Sequence, residues 1–384
     1  MNLIERMKES LIHAEKKGVL RKLQFHAEAY DFCSNDYLGL AFSQDLKERV
    51  AQRYASIKQS GATGSRLLSG QHDLMDALEQ QLCQFHQSGA ALLFNSGYDA
   101  NLSIFSTLPR RGDLILYDEL VHASIHDGIR MGKADKIAFK HNDSADLQRL
   151  LLEHQSSANL IFVAIESVYS MDGDQADLLN ILEVCESASA NLIIDEAHAT
   201  GVIGQKGEGL VASLGLQERV FARVHTFGKA IGGHGAVVLG SELLRNYLIN
   251  FARPFIFSTA ISLHSVVHVS EAYHLLDRFG PLWLKELHAK IDFFVTAMQD
   301  AIPECKRTNS KTAIQAVLVS GNEAALSLAK AVQAAGFDVR PIRYPTVPRG
   351  QERLRVCLHR FNSLEEIRAL VNIIAANYES YSDS

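Results

Sequence analysis

Short apolar runs rich in valine and isoleucine recur along the first two thirds of the chain, at Ala90–Phe94, 114–117, 160–165, 191–194 and 236–239. Runs this short, bounded by turn-forming residues, read as strands buried on both faces, which have no polar side to alternate. Between them lie stretches with a helical period. The clearest is Asp73–His86, where Leu74, Leu78, Leu82 and Phe85 share one helical face behind Asp73 as a candidate N-cap. Strands and helices in alternation predict an α/β fold with a mostly parallel, covered central sheet.

Beyond Arg253-Pro254 the pattern turns helical, over 261–276 and 283–301, and then resumes as strand, helix, strand and helix over 314–319, 324–335, 354–358 and 363–377. This predicts a smaller C-terminal α+β domain. The expected units are an N-terminal segment, 1–40, made of a helix and a strand that packs on it, a large domain, 41–278, and a small domain, 279–384, starting at Phe279.

Composition narrows the function. The chain has 384 residues, 47% apolar and 21% charged, with a net charge of -6, as expected of a compact soluble protein. With an isoelectric point near 6.2 it carries no broad positive field, so nucleic acid and anionic membrane are not expected partners and an anionic ligand must be held locally. The first eighteen residues mix acidic and basic side chains with no apolar core, and no uncharged run reaches membrane-spanning length, so a cytoplasmic protein is expected. Five cysteines (Cys33, Cys83, Cys185, Cys305, Cys357) are scattered without Cys-x-x-Cys spacing, which argues against a disulfide framework or a zinc site.

Four pieces then fall in an order that suits a cofactor with a phosphate tail, a pyridine ring and an aldehyde. Asn95-Ser96-Gly97-Tyr98 follows a strand and opens a helix, whose N-terminal N–H groups attract a phosphate and whose Gly97 admits it closely. Read alone, this is an ordinary strand-to-helix turn. Asp195-Glu196-Ala197-His198 ends a buried strand, where open α/β sheets place ligands. Asp195 can pair a pyridine nitrogen and keep it protonated, and His198 can reach a ring hydroxyl. The rival, a helicase box, needs a phosphate loop, but Gly228-Lys229 is followed by Ala230 and Arg223 stands where the first glycine belongs. Lys229 lies between an apolar run at 220–224 and a glycine-rich loop, a setting in which desolvation frees the neutral amine that attacks an aldehyde. His122 and His126 share a helical face but lack His-Glu-x-x-His order and a third ligand. No metal is therefore expected. His122 can stack on a pyridine ring, and His126 reads as structural.

With these residues in place the chain resembles the α-oxoamine synthases, pyridoxal 5'-phosphate (PLP) enzymes of fold type I, along nearly its whole length. The resemblance runs through Ser34-Asn35-Asp36-Tyr37-Leu38-Gly39-Leu40, Gly61-Ala62-Thr63-Gly64-Ser65-Arg66, Tyr169-Ser170-Met171-Asp172-Gly173-Asp174, Asp195-Glu196-Ala197-His198, Thr226-Phe227-Gly228-Lys229 and Arg343-Tyr344-Pro345-Thr346-Val347-Pro348. It implies a homodimer that condenses L-alanine with a pimeloyl thioester, carried on coenzyme A or acyl carrier protein, losing carbon dioxide, as in biotin synthesis. It also implies Lys229 as Schiff-base lysine and general base, Gly97 and Tyr98 against the cofactor, His122 on its ring, and Ser170 and His198 near the ring oxygen. Asp195 would pair the ring nitrogen and Thr226 the phosphate. Arg343 would take the substrate carboxylate, with Arg21, His122 and Thr346 also on substrate, and Ser258 and Thr259 would serve the neighbouring subunit. Ala199 departs from the family's usual glycine. The alternatives are a sister synthase, using glycine with an acetyl thioester or serine with a palmitoyl thioester, and a non-catalytic PLP-fold regulator, which normally adds a DNA-binding region.

Overall fold

The computed structural model describes residues 1–21, 23, 29–302 and 306–382, so Cys305 lies outside it. Its strands, in chain order, are β1 (Tyr30–Asp31), β2 (Ala90–Phe94), β3 (Leu114–Asp118), β4 (Asp135–Phe139), β5 (Ile161–Glu166), β6 (Asn191–Asp195), β7 (Ala222–Thr226), β8 (Ala236–Gly240), β9 (Ile314–Leu318), β10 (Phe337–Asp338), β11 (Arg340–Ile342) and β12 (Arg353–Cys357). Seven form the main sheet in the order β2-β8-β7-β6-β5-β3-β4. Only β8 runs against its neighbours. The α/β, mostly parallel sheet expected from the pattern is the one observed.

Strand alternation builds two cores, one on each face. Along β6, Leu192 and Ile194 enter the larger core, while Ile193 enters the other with Phe162 and Ala164 of β5 and Val224 of β7. Burying each such aliphatic side chain contributes roughly 1.5–3 kcal/mol. By the same alternation Glu166, Asp195 and Thr226, the last residues of their strands, face the second core, and the register sets Glu166 beside Asp195. The next residue, Glu196, turns the other way, where its carboxylate accepts the Leu210 N–H at 2.6 Å. Burial pushes that carboxyl up to about 7.

Two elements differ from expectation. The helices expected at 261–276 and 283–301 are one helix, Leu263–Ala301, with Pro281 in its interior. It spans about 58 Å at 1.5 Å per residue. The boundary expected at Phe279 falls inside it. The N-terminal strand does not pack on the first helix. Instead β1 pairs in parallel with β10, Tyr30 opposite Phe337, and the helix Leu3–Lys16 buries no residue. A second, antiparallel sheet, β11-β12-β9, lies in the C-terminal part. Among the described residues no helix is long and apolar enough to cross a membrane.

Candidate active site

The helices Gly97–Thr107 and Ala123–Met131 cover the second core, and their N-termini overhang the carboxyl ends of β5, β6 and β7. Together they enclose a cavity of about 250 Å³ lined by Gly97, His122, Asp195, His198, Thr226 and Lys229. A second cavity, of about 300 Å³, shares His122, His198 and Lys229 and adds Ser170, Arg340 and Arg355. Residues separated by more than a hundred positions thus meet at the sheet edge where an α/β fold leaves room for a ligand.

One end of the first cavity suits an anion. Ser96 caps the helix Gly97–Thr107, its Oγ accepting the Asp99 N–H at 3.1 Å, and the first-turn N–H groups of Gly97 and Tyr98 have no intrahelical acceptor. Thr226 Oγ1 is buried without a partner beside them. Glycine is required at 97 because a Cβ there would stand 2.5 Å from Thr226 Cγ2. A phosphate would satisfy the orphaned hydroxyl and the free N–H groups together.

The other end suits a protonated ring. Both Asp195 carboxylate oxygens are held, Oδ1 by the Ala197 N–H at 2.9 Å and Oδ2 by Asn101 Nδ2 at 2.7 Å. His122, the N-cap of its helix, directs Nδ1 at Ser124. Glu166, absent from the sequence reading, lines the same cavity with Oε1 unpartnered. Burial, then the Asp195 charge, push its carboxyl well above the usual range.

Lys229 sits in a loop closed by Gly232 N–H to Lys229 O at 2.8 Å and Gly233 N–H to Phe227 O at 2.7 Å. Burial pushes its amine below the ordinary range, with Asp195 and Glu166 pulling the other way and Arg355 adding to the depression. His198 is driven well below its usual value, first by burial and then by Lys229, and its Nδ1 lies 2.9 Å from Tyr37 Oη.

Of the residues singled out in the sequence, Gly97, Tyr98, His122, Ser170, Asp195, His198, Thr226 and Lys229 line one cavity or the other. Tyr98 is exposed and bonds Asp127. Arg343, Thr346 and Arg21 are not among the residues that line either cavity. Arg343 Nη1 donates to the Gly18 carbonyl, and Arg21 and Thr346 face solvent. Ser258 and Thr259 border a separate recess with Arg66. The guanidinium beside Lys229 is instead that of Arg355, buried and aimed by Ser170 O at 2.7 Å and Asn35 Oδ1 at 3.0 Å. It escaped sequence reading because Arg353-Leu354-Arg355 looks like an ordinary alternating strand. The signal that points to it is charge in a short strand whose remaining residues, Leu354, Val356 and Cys357, are apolar and whose five positions are all buried.

The model of the family described as aminotransferase class I and II matches residues 27–374. The 8-amino-7-oxononanoate synthase of Emericella nidulans is 38% identical over 396 residues, covering 97% of this chain and 95% of that protein. Among solved structures, a serine palmitoyltransferase from S. paucimobilis with a bound PLP-myriocin aldimine superposes with a TM-score of 0.88 at 25% identity, covering 99% of both chains. An 8-amino-7-oxononanoate synthase from Francisella tularensis gives 0.77 at 28% identity, covering 92% of this chain and 98% of that one.

Proposed function

Because this chain belongs to the aminotransferase class I and II family, we infer that its cavity holds PLP and that it condenses L-alanine with a pimeloyl thioester. The products are 8-amino-7-oxononanoate, carbon dioxide and the free thiol carrier, coenzyme A or acyl carrier protein, in biotin synthesis. The identity to 8-amino-7-oxononanoate synthases supports the choice of substrates. The observation that carries the reading is the meeting, in one cavity, of an amine with lowered proton affinity, a fully bonded carboxylate and an anion-seeking helix start.

When bound, PLP supplies an aldehyde to take up the amino acid and a protonated ring to receive its electron pair. Gly97, Tyr98 and Thr226 would hold the phosphate, Asp195 would keep the ring nitrogen protonated, His122 would lie against the ring, and Ser170 and His198 would serve the ring oxygen. Arg355, in the adjoining cavity, takes the alanine carboxylate through a charge-assisted hydrogen bond. Lys229, a buried amine whose proton affinity is lowered, would be placed to remove the alanine Cα proton and later to return it. The protein acts as a homodimer.

Thiol release and product mass, measured with pimeloyl thioester and alanine, glycine or serine in turn, test the reading. Alanine should be strongly preferred. Serine with a palmitoyl thioester is the second reading, supported by the fold likeness to serine palmitoyltransferase, and turnover of that pair in place of alanine and pimeloyl thioester would overturn the first. Borohydride should fix the cofactor to Lys229, and in Lys229→Ala to no lysine at all.

A further inference from the structure

We propose that Asn101 and Ser124 are positioning residues that tie Asp195 and His122, the groups at the edge and on the face of the cofactor ring, into one hydrogen-bonded chain. The proposal rests on the PLP reading and extends it from the groups that would touch the ring to the two side chains that hold them. Asn101 lies one helical turn after Gly97, so the element that presents its N-terminus to the phosphate also turns Asn101 toward the ring. Asn101 and Ser124 are each 1% exposed.

The directions of the hydrogen bonds follow from one another. Asn101 Nδ2 has two hydrogens and donates one to Asp195 Oδ2 at 2.7 Å and the other to Ser124 Oγ at 3.0 Å. The opposite amide orientation would set its oxygen against the carboxylate. Ser124 Oγ, having accepted from Asn101, gives its own hydrogen to His122 Nδ1 at 2.8 Å. The Ser124 N–H also points at His122 Nδ1, at 3.2 Å. His122 Nδ1 therefore carries no hydrogen, and the neutral ring bears its hydrogen on Nε2. Burial favours that neutral form, against the pull of Asp195 and together with the push of Lys229. Asn101 Oδ1 is left buried and unpartnered, a cost accepted in holding two functional groups with one amide.

Cutting the chain at its two links has different consequences. Without the Ser124 hydroxyl, only His122 is loosened, keeping the Ser124 backbone N–H as its one partner in the chain. Without the Asn101 amide, Asp195 Oδ2 loses its partner, and the Ser124 hydroxyl, no longer fixed as an acceptor, is free to turn its hydrogen away from His122. Because the links act in series, their effects should not add.

The test uses PLP-loaded enzyme and the variants Ser124→Ala, Ser124→Thr, Asn101→Leu and Asn101→Leu with Ser124→Ala. The visible circular dichroism of the bound cofactor, per mole fixed by borohydride, reports ring orientation independently of turnover. Ser124→Ala should lower that signal about twofold and kcat about tenfold, a change of about 1.4 kcal/mol, with KM little changed, and Ser124→Thr should restore both. Asn101→Leu should in addition weaken cofactor binding about tenfold, and the double variant should be no worse than Asn101→Leu alone. Unchanged dichroism in fully loaded Ser124→Ala, or equal impairment in Ser124→Ala and Ser124→Thr, overturns the proposal even if Asn101→Leu does not fold. A wild-type protein that takes up no PLP refutes the functional reading instead, so the two failures are distinguishable.

Discussion

At the residue scale the site depends on close approach and on one buried guanidinium. Gly97 has 2.5 Å between its missing Cβ and Thr226 Cγ2, so Gly97→Ala should push the helix start off β7 and weaken PLP binding at least about tenfold, a loss of about 1.4 kcal/mol. Adding Thr226→Ser, which removes the obstructing methyl and keeps the hydroxyl, should recover most of that loss in a cofactor titration. Arg355 offers a second contrast. If its guanidinium takes the amino acid carboxylate, Arg355→Ala loses a charge-assisted bond of about 1.5–3 kcal/mol, and KM for alanine should rise between about tenfold and a hundredfold. Arg343→Ala, whose side chain lines neither cavity and donates to the Gly18 carbonyl, should change that KM little. The reverse ranking in steady-state kinetics would return the carboxylate to Arg343.

At the scale of elements, the loop that presents Ser170 is anchored by an ion cluster behind it. His141, just past β4, places Nδ1 at 3.0 Å from Asp118 and Nε2 at 2.9 Å from Asp174. Burial alone would lower its pKa, but bonds to Asp118 and Asp174 outweigh it and raise the value to about 10. A raised folded-state pKa gives stability that is complete below the unfolded value near 6.5 and is lost as pH rises through about 10. Thermal unfolding should therefore show wild type losing stability between pH 7 and about 10, a decline that His141→Gln should flatten. Legibility also differed between elements. Interior strands of unbroken apolar residues, such as 161–165 in β5, announce themselves. Asp135–Phe139 does not, because an edge strand exposes Asp135 and Lys136 and carries no apolar run. The helices expected over 261–276 and 283–301 are continuous: a proline usually ends a helix, yet packing on both sides of Pro281 carries this one through. Lys229, Asp195 and Gly97 were legible because each sits at a strand-to-loop junction. Asn101, Glu166 and Arg355 were not, because their meaning lies in partners such as Asn35, which is 320 residues from Arg355.

For the whole molecule, the surface points to assembly. Phe42 is 87% exposed, Leu68 84% and Phe257 70%, and the helix Leu3–Lys16 leaves Leu3, Ile4, Met7, Leu11 and Ile12 in water. Apolar exposure on this scale is relieved by association. Light scattering should give a mass about twice the 42.4 kDa of one chain, and Leu68→Glu with Phe257→Glu should shift the protein toward monomer. Strand alternation limits how the fold can vary. Asp195 and Glu196 are adjacent letters with opposite addresses, one facing the ligand and the other capping a helix on the far side. Deleting a single residue inside Asn191–Asp195 would exchange those addresses and put the longer Glu196 side chain where Asp195 meets Asn101, whereas conservative exchanges within the strand would not. Among natural or laboratory variants, changes of length should therefore collect in the connecting loops, while the strands that end at this cavity vary only in spelling.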